Sequence, residues 1–196
     1  MKKPPASHLH VIQVLLDEHV AINEALLVLF HLKRRLAGRS LVRTSDLRTL
    51  IAFFRVYADT IHHGTEEDVL FPAVQRSRTL RSMSQKLLTH HTMGRIFLDE
   101  MTKAVEAAAS GRRGWRKRFV GSATAYHTLL TIHICDEDHI FFPRAERSLR
   151  RMNRVRLRVG ADDLTKTKWE RQLRRLFKQH VPVDQTPHTC SDSSCQ

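Results

Sequence analysis

The run Thr60-Ile61-His62-His63-Gly64-Thr65-Glu66-Glu67-Asp68-Val69-Leu70-Phe71-Pro72 returns seventy-one residues later as Thr131-Ile132-His133-Ile134-Cys135-Asp136-Glu137-Asp138-His139-Ile140-Phe141-Phe142-Pro143. With the Phe-Pro ends in register, the runs share Thr-Ile-His, a Glu four residues after that His, an acidic residue next, and Phe-Pro. Residues four apart return to nearly the same face of an α-helix, so each run presents one imidazole beside one carboxylate. Two such half-sites facing each other across a helical bundle form a cradle for two metal ions.

The rest of the chain reads as the scaffold for that cradle. Gly is scarce, with seven in 196 residues, and Pro gathers at the ends and at the two Phe-Pro stops, so the composition is all-α. Four amphipathic stretches cover about residues 7–37, 44–75, 80–110 and 115–150. The first stops at Gly38, and Ser45 or Thr44 is the candidate cap of the second. Short links force antiparallel neighbours, which predicts an up-down-up-down four-helix bundle over residues 7–150. Residues 151–196 are a basic extension: a fifth amphipathic helix over about 164–180, with Leu164, Trp169, Leu173, Leu176 and Phe177 on its apolar side, then a disordered tail. No apolar run reaches about 18 residues and no leader-like stretch follows Met1, which predicts a cytoplasmic protein without a membrane span. Three Cys (135, 190 and 195) are too few for a disulfide framework.

Six residues are the candidate ligands: His19, His62, Glu66, His91, His133 and Glu137. The repeat register selects His62 with Glu66, because His62 and His133 both stand ten residues before the Pro; His63 with Glu67 is the competing pair at the same spacing. His19 and His91 lie on the apolar stripes of the first and third helices, so every helix of the bundle supplies one imidazole. Four imidazoles and two carboxylates suit iron, then manganese, better than zinc, which four ligands satisfy. Tyr126, two turns before His133, is read as a core residue sooner than as a donor to a bound ligand. His127 and His139 fall off the ligand face.

The paired His-x-x-x-Glu runs ending in Phe-Pro, the Asp17-Glu18-His19 triplet and the His-x-x-Gly-Arg of His91 to Arg95 resemble the hemerythrin-like, HHE cation-binding family over about residues 8–148. The resemblance implies a four-helix bundle holding two non-haem irons, bridged by oxo or hydroxo and by Glu66 and Glu137, with the six candidates as ligands. The oxygen carriers of the family place a second His four residues after that of the third helix, where this chain has Arg95. That difference implies one under-ligated iron opposite Arg95, open to oxygen, nitric oxide or peroxide, and a role in ligand reaction, sensing or stress response sooner than in reversible oxygen carriage. Simple iron or oxygen binding without turnover is a further alternative.

The formal charge is +13, and thirteen Lys or Arg against four acidic residues between Arg144 and Lys178 account for most of it. Arginine clusters bind phosphates, so weak contact with nucleic acid or an anionic surface is one expectation for this segment, and metal-dependent regulation through it is the alternative function. The simpler expectation is a solvated basic helix packed back on the bundle through Trp169, Leu173 and Leu176.

Overall fold

The computed structural model describes residues 8–151 and 163–183, which are helical apart from short connections. Helix α1 spans His8–Ala37. It stops at Gly38, as expected; the left-handed residue of the turn is Arg39 (φ 60°), and the amides of Gly38 and Ser40 return to the carbonyls of Arg34 and Arg35. Helix α2 is one rod over residues 44–73, beginning at Thr44–Phe53. Neither Thr44 nor Ser45 caps it: the capping position is Arg43, in extended conformation and without a side-chain bond. Helix α3, Arg78–Ala109, starts with the Ser77 side chain accepting from the Leu80 amide. Helix α4 covers residues 115–151, beginning at Trp115–Asp136, and α5 covers Asp163–His180.

Both copies of the repeat depart from α geometry. The rod α2 is π-helical over Phe54–His63 and again over Glu66–Leu70, and α4 is π-helical over Glu137–Phe141. A π-turn bonds i to i+5 and is wider than an α-turn. The side chains follow the change: the Thr60 hydroxyl donates to the Arg55 carbonyl five residues back, whereas Thr49 and Thr65 donate four residues back.

The core consists of two apolar clusters. The larger includes Ile22, Leu29, Phe54, Tyr57, Leu98, Phe119, Tyr126 and Leu130. The smaller includes Val11, Leu15, Leu70, Phe71, Leu87, Phe141 and Phe142. Along every one of the four long helices the candidate ligands fall between the two: His19 between Leu15 and Ile22, His62 to Glu66 between Ala58 and Leu70, His91 between Leu87 and Leu98, and His133 between Leu130 and Phe141. A polar layer is thus enclosed by hydrocarbon above and below. Burying each Leu or Phe contributes about 1.5–3 kcal/mol, which offsets the cost of interring charged groups between them.

Helix α5 lies against this bundle with Leu173 and Leu176 buried in the larger cluster and Trp169 and Phe177 packed at its edge. The Tyr57 hydroxyl donates to Glu170 Oε1 at 3.0 Å, and His180 meets Asp46 at 3.1 Å. Among the described residues, no helix is long and apolar enough to cross a membrane. The arginine run at 152–158 and the tail expected to be disordered, with Cys190 and Cys195, lie outside the described residues.

Candidate metal centre

Seven side chains meet in the polar layer, none more than 4% exposed. They form two groups within which donor atoms lie no more than 4.8 Å apart: His63, Glu66, His91 and His133, and His19, His62 and Glu137. All six sequence-predicted residues are brought together, and His63 joins them. The choice between His62 and His63 therefore dissolves, because both rings point inward, at 1% and 4% exposure. An ideal α-helix rotates adjacent residues by about 100°, which is why one had to be chosen; the wide turns of Phe54–His63 let both face the layer. Glu67, the carboxylate of the competing pair, stands outside the groups and serves a different purpose.

That purpose is to hold a ring in place. Glu67 Oε1 lies 2.7 Å from His91 Nδ1, Asp138 Oδ1 lies 2.6 Å from His19 Nδ1, Glu18 Oε2 lies 2.9 Å from His62 Nδ1, and Asp59 Oδ1 lies 3.5 Å from His63 Nδ1. A carboxylate on Nδ1 fixes the tautomer with its proton there and turns the Nε2 lone pair toward the centre. Glu67 and Asp138 are the acidic residues that follow the repeated Glu, so the repeat encodes the orienting shell as well as the donors. It encodes packing too: Phe71 stacks on His91 (5.9 Å, 20°) and Phe142 stacks on His19 (5.5 Å, 20°). Each half-motif therefore clasps the imidazole of a neighbouring helix between a carboxylate and a phenyl ring.

Arg95 belongs to this shell. It is not a missing ligand facing an open metal position: its Nε donates to Asp59 at 2.8 Å and its Nη2 to Glu67 at 2.7 Å. It braces the carboxylates behind His63 and His91, whose rings stack at 3.8 Å. Of the two groups, the one beside Arg95 has the extra imidazole, and the smaller set is His19, His62 and Glu137. Tyr126 is buried and packs edge-on to Phe54, as a core residue does. His139 is exposed and His127 is half-buried beside Phe30, both outside the donor groups as expected.

The inward atoms have the character of a metal cradle. His63 Nε2, His91 Nε2, His133 Nε2 and both oxygens of Glu66 and of Glu137 are buried without a hydrogen-bond partner. Such groups are costly unless something satisfies them. Nε2 of His19 and of His62 stand 3.0 Å apart, close enough for both nitrogens to serve one cation once it has displaced the proton between them. The carboxylates reach both groups, Glu66 from 3.8 Å at His62 to 3.4 Å at His91 and Glu137 from 3.3 Å at His19 to 3.1 Å at His133.

Burial and neighbours set the charges of the metal-free layer. Burial alone would lower His19, but its bonds to Asp138 and Glu137 prevail and raise it to about 10. His91 is likewise raised to about 9 by Glu66 and Glu67 against burial. Burial holds His62 down at about 4 and, with the charge of His91 and His133, holds His63 well below its ordinary range. Glu66 is pushed well above the carboxylate range by burial and by Glu137, while His133 and His19 overcome burial to hold Glu137 well below it. His19, His91 and Glu66, the groups shifted upward, are those from which a cation would displace protons.

The matching family model is the hemerythrin HHE cation-binding domain, over residues 10–145. The chain belongs to that family. The HHE domain includes both copies of the repeat and all seven buried donors, and ends before α5. Among curated proteins it is similar to uncharacterized proteins of Mycobacterium tuberculosis and Mycobacterium bovis, 26% identical over 129 residues, 66% of this chain and 51% of theirs. The chain therefore spans about half the length of the curated relatives it matches. No solved structure matches it.

Proposed function

We propose that the HHE domain holds two iron ions between its two donor groups and that this centre binds or reacts with oxygen, nitric oxide or peroxide. The observation that carries the reading is the pair of buried donor groups, in which inward atoms of His63, His91, His133, Glu66 and Glu137 lack partners while carboxylates hold four of the five imidazoles from behind. His63, His91 and His133 would hold one ion and His19 and His62 the other, with Glu66 and Glu137 shared. Membership of the family implies metal binding. Two imidazoles with shared carboxylates is a mixed nitrogen and oxygen donor set that suits iron and leaves room for an open position in the smaller group. The open position falls there, opposite the side marked by Arg95. Iron at such a site supplies redox chemistry and an attachment point for a small ligand.

The protein's own residues restrict what arrives. Donors no more than 4% exposed, next to the buried apolar cluster of Phe71, Phe141 and Phe142, suit a diatomic or peroxide-sized ligand better than a larger substrate. The carboxylate behind each of four imidazoles raises its basicity, favouring the ferric state after reaction. Metal analysis and optical spectroscopy of aerobically purified protein, followed by oxygen, nitric oxide and peroxide added to the reduced form, test the proposal. Two irons per chain, near-ultraviolet charge-transfer absorption and a response to at least one ligand are expected. One zinc per chain with no such absorption refutes it.

A further inference from the structure

The HHE match ends at residue 145, yet a residue from beyond it reaches the metal layer. Lys166, in the first turns of α5, donates its ammonium to Glu18 Oε1; the other oxygen of Glu18 lies 2.9 Å from His62 Nδ1. His62 in turn presents Nε2 to His19 at 3.0 Å. Lys166 is to the smaller donor group what Arg95 is to the larger: a cation that holds the carboxylate that holds an imidazole. The two differ in origin. Arg95 comes from α3, inside the domain, and its side chain is 41% exposed; Lys166 comes from α5 and is 15% exposed.

We propose that Lys166 is a positioning residue of the metal centre, so that the His19–His62–Glu137 subsite is complete only when α5 is docked, and occupation of that subsite tightens the docking. This rests on reading the layer as a two-ion centre. Glu18 is 3% exposed and has two demands on it, the His62 ring and the Lys166 ammonium. When α5 lifts, Glu18 Oε1 loses its ammonium partner, and His62 loses the fixed carboxylate that aims it. An ion that fixes the His62 ring also fixes Glu18 behind it, and a fixed Glu18 presents Oε1 to Lys166 in one place. Other anchors of α5 include Glu170 on Tyr57, Leu173 and Leu176 in the core, and His180 on Asp46 and Arg35. They lie progressively farther from the metal layer, so the Lys166 end is the one an ion can govern. Because coupling is reciprocal, the factor by which docking favours the ion equals the factor by which the ion favours docking.

The test is anaerobic titration of the full chain with ferrous ion against a chromophoric chelator, for the unmodified protein, Lys166→Met and Lys166→Arg. Lys166→Met keeps the aliphatic stem and should weaken one of the two equivalents about 10- to 100-fold, leaving the other unchanged, as loss of an outer-shell partner does. Lys166→Arg keeps the charge and should return most of that loss. Amide hydrogen exchange of residues 163–180 in the unmodified protein needs no substitution, and should slow on ferrous loading. Unchanged affinities in Lys166→Met, equal loss of both equivalents, no return in Lys166→Arg, or α5 amides indifferent to iron would each overturn the proposal. An unmodified protein that binds no iron overturns the two-ion reading and this proposal with it, whereas two tightly bound irons with an inert Lys166→Met overturn this proposal alone.

Discussion

Replacing His63 by Ala removes one of four donors from the larger group while leaving the smaller group whole. Four ligands hold a structural zinc ion with about 10–16 kcal/mol, or about 2.5–4 kcal/mol each. At about 1.36 kcal/mol per factor of ten, the loss is about 70- to 900-fold in affinity for one ion. The fold should survive, because Asp59, which loses the His63 ring, keeps the Arg95 guanidinium at 2.8 Å. Competition titration with a ferrous chelator should show one equivalent weakened by that factor, with helical circular dichroism unchanged. His139→Ala, at an exposed position two residues from Glu137, serves as the control and should behave as the unmodified protein. A His63→Ala protein that keeps both ions at their original affinity would refute the assignment of His63, and with it the claim that the wide turns of α2 serve to bring two adjacent rings inward.

Other perturbations probe the shell and the protons. Arg95→Met leaves Glu67 and Asp59 unbraced and should weaken the ion on His91 and His63 about tenfold or more, measured by the same titration, while costing the metal-free fold only about 1 kcal/mol because the guanidinium side chain is 41% exposed. Phe142→Ala removes the ring stacked on His19 and should destabilise the protein by about 3–5 kcal/mol in urea unfolding, with loss of iron from the smaller group. For the metal-free protein, His19 and His91, raised to about 10 and about 9, contribute stability fully present below pH 6.5 and lost as pH rises through those values. His62, lowered to about 4, acts oppositely: its contribution is complete above pH 6.5 and lost as pH falls through about 4. Denaturant midpoints across pH should therefore peak near neutrality. Iron loading should release protons, seen in calorimetry as a heat that varies with buffer ionisation enthalpy, and affinity should climb with pH up to about 9.

Much of this centre is legible in the chain because the repeat is doubled and its spacing helical. His19, His62, Glu66, His91, His133 and Glu137 could be picked out by assuming 100° per residue and one imidazole per helix. His63 could not, since nothing in Phe54–His63 announces a π-turn, and a fixed rotation per residue forces a choice between neighbours. The orienting carboxylates were visible but silent: Glu18 precedes His19 and Glu67 and Asp138 follow the repeated Glu, yet adjacency along a helix does not say which ring on another helix a side chain will meet. Arg95 was misread for the same reason. Its place in a family motif suggested a lost ligand, while its partners, Asp59 and Glu67, come from a different helix. The reach of Lys166 to Glu18 spans 148 residues of sequence and depends wholly on tertiary docking.

The wide turns also govern how such a chain can change length. A stretch bonded i to i+5 accommodates a residue that an α-helix between the same end-points would expel. Deleting one residue within Phe54–His63 would return the segment to α geometry between the same end-points, where adjacent residues stand about 100° apart. Phe54, Tyr57, Glu66 and Phe71 would keep their places, while the layer lost one of its two adjacent imidazoles. The connections around residues 38–43 and 110–114 have no such obligation and can lengthen freely. Indels in natural variants should therefore collect at that end of the bundle, and the count of residues from Phe54 to Phe71 should be as invariant as the ligands themselves.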